Sequence, residues 1–174
     1  MSTEKDDQIS SWCWQTGKFL FYFDQRQQSE HDKKLYNDFL SKLETNSFNF
    51  RNQGVLLMLC YGLIVYPRER WINETDYKII NEHIVEVATE MLGKQIENPL
   101  DLFELPLNKN KQKFTKDTLR HLRNAIAHAQ IDVNIDDNMF TFTDGTFSAK
   151  ITVENLGVFL SGVGRYFIKL EAMH

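Results

Sequence analysis

The run from Val55 to Tyr66, Val-Leu-Leu-Met-Leu-Cys-Tyr-Gly-Leu-Ile-Val-Tyr, contains no charged side chain. As a helix it would measure about 18 Å at ~1.5 Å per residue, little more than half of a ~30 Å hydrocarbon core. A chain that carries it must surround it with protein, so it reads as a buried central helix and not as a membrane span. Pro67 disfavours helix at Tyr66, and Arg68-Glu-Arg-Trp71 returns the chain to solvent.

The cover for such a helix comes from amphipathic segments on both sides. Ser29 is a good N-cap for a helix to about Leu43, with Leu35, Tyr36, Phe39, Leu40 and Leu43 on its apolar face and Asn46 as its stop. Thr75 or Asp76 caps another, with Ile80, Ile84, Val87, Ala88 and Met91 facing inward and Gly93 at its end. Glu154 to Glu171 closes the chain as a helix that turns Leu156, Phe159, Leu160, Val163, Phe167 and Leu170 to the core. Trp12 to Phe23 fits a strand by the alternation of Phe19, Phe21 and Phe23 and a helix by the spacing of Trp12, Phe19 and Phe23; helix is the expectation. Met1 to Ser10, polar and acidic, is expected to be a loose tail without the pattern of a signal peptide, leaving residues 11–174 as a single domain.

After Gln130 the period changes. Ile131, Val133 and Ile135 alternate with polar residues, Asp136-Asp-Asn makes a turn, Met139-Phe-Thr-Phe-Thr returns, and Ala149-Lys-Ile-Thr-Val adds a third short strand after Asp144-Gly145. The expected fold is mainly α, a helical bundle with a short β-hairpin or small sheet inserted before the last helix.

At 174 residues the chain can bury roughly two-thirds of its unfolded surface without disulfides or metal. Cys13 and Cys60 are far apart and form neither a ligand pair nor a disulfide framework, which suits a reducing cytoplasm. A net charge of −4 argues against general DNA coating. Locally the sign reverses: Lys109, Lys111, Lys113, Lys116, Arg120 and Arg123 stand against Asp117 alone, a strip of charge +5. Such a strip can hold a polyanion at one place, or it can be a solvated linker and helix face. It emerges from Asn98 to Lys113, the longest irregular connection, and long loops in compact domains are often functional.

That strip leads into Thr115-Lys-Asp-Thr-Leu-Arg-His-Leu-Arg-Asn-Ala-Ile-Ala-His-Ala-Gln130, a helix capped by Thr115 with Asp117 in its first turn. Leu119, Leu122, Ile126 and Ala129 form its buried stripe. Asn124 and His128, four apart, stack on the far side with His121, while Arg123 sits at the stripe's edge, where only its long stem can carry the guanidinium toward the imidazole. Read from the residues alone, an Arg-Asn pair followed by His near a helix C-terminus can also simply satisfy carbonyls and the helix dipole.

Arg123-Asn124-Ala-Ile-Ala-His128 resembles the R-x(4–6)-H motif of HEPN domains, small helical proteins of prokaryotic toxin and antiviral systems, many of them metal-independent ribonucleases. The order of elements, with an apolar helix ending at Pro67 and a β segment between motif helix and last helix, resembles the plasmid-associated pEK499-type subfamily, over about Phe48 to Leu170. The resemblance implies an endoribonuclease of toxin or phage-defence type. It implies homodimerisation that sets two motifs face to face, with Arg123, Asn124 and His128 catalytic. RNA would be the substrate, and an antitoxin or defence protein a possible partner.

The chemistry fits these residue types. Histidine transfers protons near neutrality, and arginine stays charged and offers a planar fork to a phosphate. Lys109, Lys111, Lys113, Lys116, Arg120 and His121 are the expected RNA-binding residues. His121 lies about 10.5 Å along the axis from His128, too far to share a metal with it. Asp136, Asp137 and Asp144 are explained by turn chemistry, and no zinc spacing, phosphate-binding glycine loop or nucleophile elbow is present, so neither metal nor cofactor is expected. Gln130 occupies the position where HEPN toxins paired with nucleotidyltransferases carry a modifiable Tyr, which puts regulation by that route in doubt. A silent HEPN module that binds RNA or a partner protein is the alternative.

Overall fold

A computed structural model describes residues 3–26, 30–42, 53–67, 73–104 and 114–171. Helix α1 (Thr3–Arg26) is followed by α2 (Glu30–Lys42) and α3 (Gln53–Cys60), which runs into a π-helical turn, Tyr61–Val65. Next come α4 (Glu74–Leu92), a 3-10 turn (Pro99–Leu102) and α5 (Lys116–Ala127). Strands β1 (Ile131–Asn134), β2 (Met139–Asp144) and β3 (Phe147–Thr152) form an antiparallel meander in the order β1-β2-β3, and α6 (Val153–Glu171) closes the fold. The mainly helical architecture with a small sheet before the last helix is the one the sequence called for.

The run from Val55 is buried on one face: Met58, Tyr61 and Tyr66 are exposed, so protein does not surround it on all sides as the unbroken apolar run implied, while Leu59, Cys60 and Leu63 are wholly enclosed. The enclosure pushes the Cys60 thiol up to about 12, with Cys13 nearby adding to the effect, so it stays a thiol. Two glycines allow α1 to lie close. A Cβ at Gly62 would collide with Cys13, and one at Gly17 would come 2.7 Å from Leu59. Ser10 then donates to the Gly62 carbonyl at 3.0 Å. Helix α1 begins at Thr3, where the sequence suggested a loose tail to Ser10, and Ser10 and Ser11 are buried.

Helix α6 supplies the other seam. Gly162 lets α6 lie against the backbone of Ile84 in α4, and Gly164 lies under the Trp14 ring of α1. Outside this apolar seam Arg165 clasps Glu90 through two nitrogens, at 3.2 and 2.7 Å. Helix α2 differs: among the described residues of its apolar face Leu40 is buried, Tyr36 and Phe39 are partly buried and Leu35 is half exposed. Ser29 and Leu43 lie outside the described residues.

Several ends move from their expected places. The N-cap of α4 is Asn73, whose side chain accepts from the Thr75 amide at 2.9 Å, which puts Thr75 and Asp76 inside the first turn. Met91 is exposed although helical spacing sets it on the row of Ile84, Val87 and Ala88; it stands in the last turn of the helix, which ends at Leu92. Gly93 ends α4 at φ +63°, as expected for a left-handed cap. Part of the connection expected to be irregular is ordered. Asn98 and Asp101 form a capping box around the 3-10 turn, and Glu104 pairs with Lys150 at the edge of β3. Ile135 lies in the β1–β2 turn and is exposed, so β1 ends at Asn134. Among the described residues no helix is long and apolar enough to cross a membrane.

Candidate functional site

Thr115 caps α5 reciprocally with Thr118: each side-chain oxygen accepts the other residue's backbone N–H at 3.3 Å. Leu119, Leu122, Ala125 and Ile126 are buried beneath the helix, where they meet Phe140 and Phe142 of β2 in the common core. The helix ends at the motif histidine. His128 is the C-cap; the Ala129 amide donates to the Ile126 carbonyl at 3.2 Å and the Gln130 amide to the Ala125 carbonyl at 2.8 Å. These two bonds make a Schellman ending, with Ala129 left-handed at φ 54°. Ala129 is therefore exposed, and the buried stripe stops at Ile126, because the backbone reverses before reaching the position that ideal helical spacing assigns to it.

The polar face of α5 is organised by a residue from outside the motif. Asp144 is the last residue of β2, paired across the ladder with Phe147, and Gly145 follows at φ +60° as the first residue of a two-residue hairpin loop, the type II′ pattern. Cross-strand partners face the same side, so Asp144 and Phe147 reach α5 together. His121 Nδ1 donates to Asp144 Oδ2 at 2.8 Å while the His121 ring stacks on Phe147, centroids 4.9 Å apart and planes 9° from parallel. Asn124 Nδ2 donates to the same carboxylate oxygen at 3.0 Å, and Arg123 donates to Asn124 Oδ1 at 2.5 Å.

Only one orientation of the Asn124 amide satisfies both neighbours. A carboxylate can only accept and a guanidinium can only donate, so the NH₂ end must face Asp144 and the oxygen Arg123. The Arg123 guanidinium is thus held by Asn124, and the reach to the His128 imidazole that the sequence left open is not among the hydrogen bonds of the described residues. The His121 and Asn124 hydrogen bonds hold the Asp144 carboxyl below its ordinary value of 3.8, in that order of importance, so it is ionised at neutral pH.

Lys116, Arg120, Asn124 and His128 follow at four-residue intervals and so form one row along α5. His128 is exposed at the end of that row, and no side chain among the described residues bonds its imidazole. The two cations in the row are not idle: Lys116 pairs with Glu74 at the start of α4 at 2.6 Å, and Arg120 with Asp117 at 3.4 Å. Lys109, Lys111 and Lys113 lie outside the described residues. The structure therefore joins Arg123, Asn124 and His121, places His128 one turn beyond Asn124, and sets Lys116 and Arg120 toward the helix start.

Asp136 and Asp137 serve the β1–β2 turn, their amides donating to Asn134 Oδ1 at 3.0 and 3.2 Å. Asp144 does not follow that reading, since its side chain binds across 20 and 23 residues of sequence. Among the described residues no three His, Cys, Asp or Glu side chains converge as metal ligands.

The model of the family described as HEPN pEK499 p136 matches residues 1–172. The chain belongs to this HEPN family. The match includes α1 and α2, so the resemblance extends beyond the span from Phe48 to Leu170 and takes in the first forty residues as well. No curated protein and no solved structure matches the chain.

Proposed function

We propose that this HEPN protein is a metal-independent endoribonuclease, of toxin or phage-defence type, that works as a homodimer with two Arg-x4-His motifs facing each other. The observation that carries the reading is the Arg123 guanidinium held by Asn124 one turn before an exposed histidine. In this reading His128 moves protons between the 2′-OH and the leaving 5′-oxygen. Arg123 stabilises the charge that builds on the phosphate, and Asn124 keeps the guanidinium in place. One motif supplies one such histidine, and its symmetry mate supplies the second. Lys109, Lys111, Lys113, Lys116, Arg120 and His121 line the approach of the RNA, and an antitoxin or defence partner controls access.

A second reading, a silent module that binds RNA or a partner protein, is favoured by one observation: no described side chain orients the His128 ring. Incubating the purified protein with total RNA in excess EDTA separates the two. Cleavage that leaves a 2′,3′-cyclic phosphate or its 3′-phosphate product, and that is inert toward 2′-deoxy substrate, supports the nuclease. Intact RNA with wild-type protein, or a folded His128→Ala variant that cuts at the wild-type rate, leaves the binding module. Light scattering tests the assembly, and a strict monomer at micromolar concentration removes the facing-motif site.

A further inference from the structure

We infer that the β2–β3 hairpin, through Asp144, positions Arg123 for the RNA phosphate, which makes Asp144 and His121 positioning residues for the site although neither belongs to the motif. The inference rests on the reading of Arg123 as the phosphate-holding cation and names what holds it.

A lone arginine on a helix surface has four flexible side-chain torsions to freeze on meeting a phosphate. Here the cost is reduced in advance by a chain of directional contacts: Phe147 fixes the plane of His121, His121 and Asn124 converge on one oxygen of Asp144, and Asn124 turns its own oxygen to Arg123. Removing the carboxylate would take away the acceptor that anchors the Asn124 NH₂ end, leaving the amide held only by Arg123 itself. An amide free to turn with the guanidinium no longer fixes where that guanidinium sits. The hairpin thereby decides whether the cation of a distant motif is preorganised.

The charge itself makes the idea testable by sign. Asp144 is a carboxylate beside a polyanion site, and beyond His121 and Asn124 the charge of Arg120 also acts on it. If it were merely present, neutralising it would tighten RNA binding, because a repulsive charge is removed. If it positions Arg123, neutralising it weakens binding.

The experiment measures binding of a 2′-O-methyl oligoribonucleotide, which cannot be cut, to wild type, Asp144→Asn, Arg123→Ala and the double variant. Asp144→Asn keeps the shape and a possible acceptor, so the fold is retained; Asp144→Ala serves as a second variant, with melting recorded for each. Asp144→Asn is expected to weaken binding about three- to tenfold in the wild-type background and by less than about twofold in the Arg123→Ala background, since the two act through one contact. The logarithmic salt slope of Asp144→Asn is expected to lose about 0.7 per Arg123 contact, as in Arg123→Ala.

Tighter or unchanged binding by Asp144→Asn overturns the inference, as does an equal loss in both backgrounds. Coupled losses in a protein that cuts nothing sustain the positioning role and remove the nuclease reading. Uncoupled losses in a protein that cuts RNA do the reverse. A wild type that binds no RNA removes both.

Discussion

The seam between α4 and α6 and the seam between α5 and the hairpin are built on opposite terms. At the first, Gly162 allows α6 to approach the backbone of Ile84, and contact is made by shape, with Arg165 and Glu90 closing the outside. At the second, an apolar underside of Leu119, Leu122 and Ile126 carries a half-exposed polar face on which His121, Asp144, Asn124 and Arg123 are joined end to end. Shape contact is undirected but leaves no room for an added atom. Partly exposed polar contact adds little stability, yet it fixes which atom faces which. The lesson is that stability and orientation are assigned to different seams, so each can be altered with a separate readout.

The sharpest test of that division lies at the motif. His128→Ala is expected to lower RNA cleavage by about 10²–10⁴-fold, and Arg123→Ala to raise the barrier by a few kcal/mol. Both variants should melt with wild type, because neither side chain belongs to the buried underside. A large fall in Tm for either would break the comparison. Next comes the converse at the scaffold: Gly162→Ala forces a methyl group against Ile84 and is expected to cost about 1–3 kcal/mol, or a Tm lower by roughly 2–4 °C per kcal/mol for a chain of this size. Its cleavage rate per folded molecule, measured well below that Tm, should match wild type.

A smaller effect is expected from acid. The Asp144 carboxyl is held below 3.8 by His121 and then by Asn124, so its contribution is complete above the unfolded value and is lost as pH falls through the depressed folded value. An NMR titration of the carboxyl carbon should give a midpoint under 3.8, and Asp144→Asn should lose less stability than wild type between pH 5 and 2. A normal midpoint would mean that the hairpin does not grip α5 in solution.

The smallest change concerns Ala129, which adopts φ 54° at the end of the motif helix. Glycine accepts that conformation without the steric cost borne by a Cβ, so Ala129→Gly is expected to raise stability by up to about 1 kcal/mol in denaturant melts, with the His128 cap unmoved.

The sequence made these two seams legible to different degrees. Periodicity placed Ile80, Ile84, Phe159 and Val163 in the core, because repeating apolar residues report burial directly. It also set Asn124 and His128 on one face of one helix, with Arg123 at the edge of the apolar stripe. It missed Asp144, for a physical reason: Asp before Gly is what a hairpin turn asks for, so the turn accounted for the residue before any distant partner was needed. Only the strand ladder, which sets Asp144 opposite Phe147 under His121, shows the second use. The π turn at Tyr61–Val65 and the left-handed Ala129 were equally hidden, since neither tyrosine nor alanine marks such a backbone. The contact of Ser10 with the Gly62 carbonyl was hidden as well, since polarity in a sequence does not name a distant partner.

Strand β2 has one more consequence, which concerns the chain lengths this protein can tolerate. Phe140, Phe142 and Asp144 are alternate residues, so the two phenylalanines sunk into the core and the carboxylate under His121 share one parity. An extra residue in the turn at 135–138 can be looped out without changing that count. An extra residue between Phe142 and Asp144 cannot: it would turn the carboxylate to the opposite side of the sheet while the aromatic pair stayed buried. Two extra residues would restore the side but carry the carboxylate about 6.8 Å further along the strand, beyond the reach of both His121 and Asn124. A homologue that keeps the motif but changes this spacing would have to hold its arginine by other means.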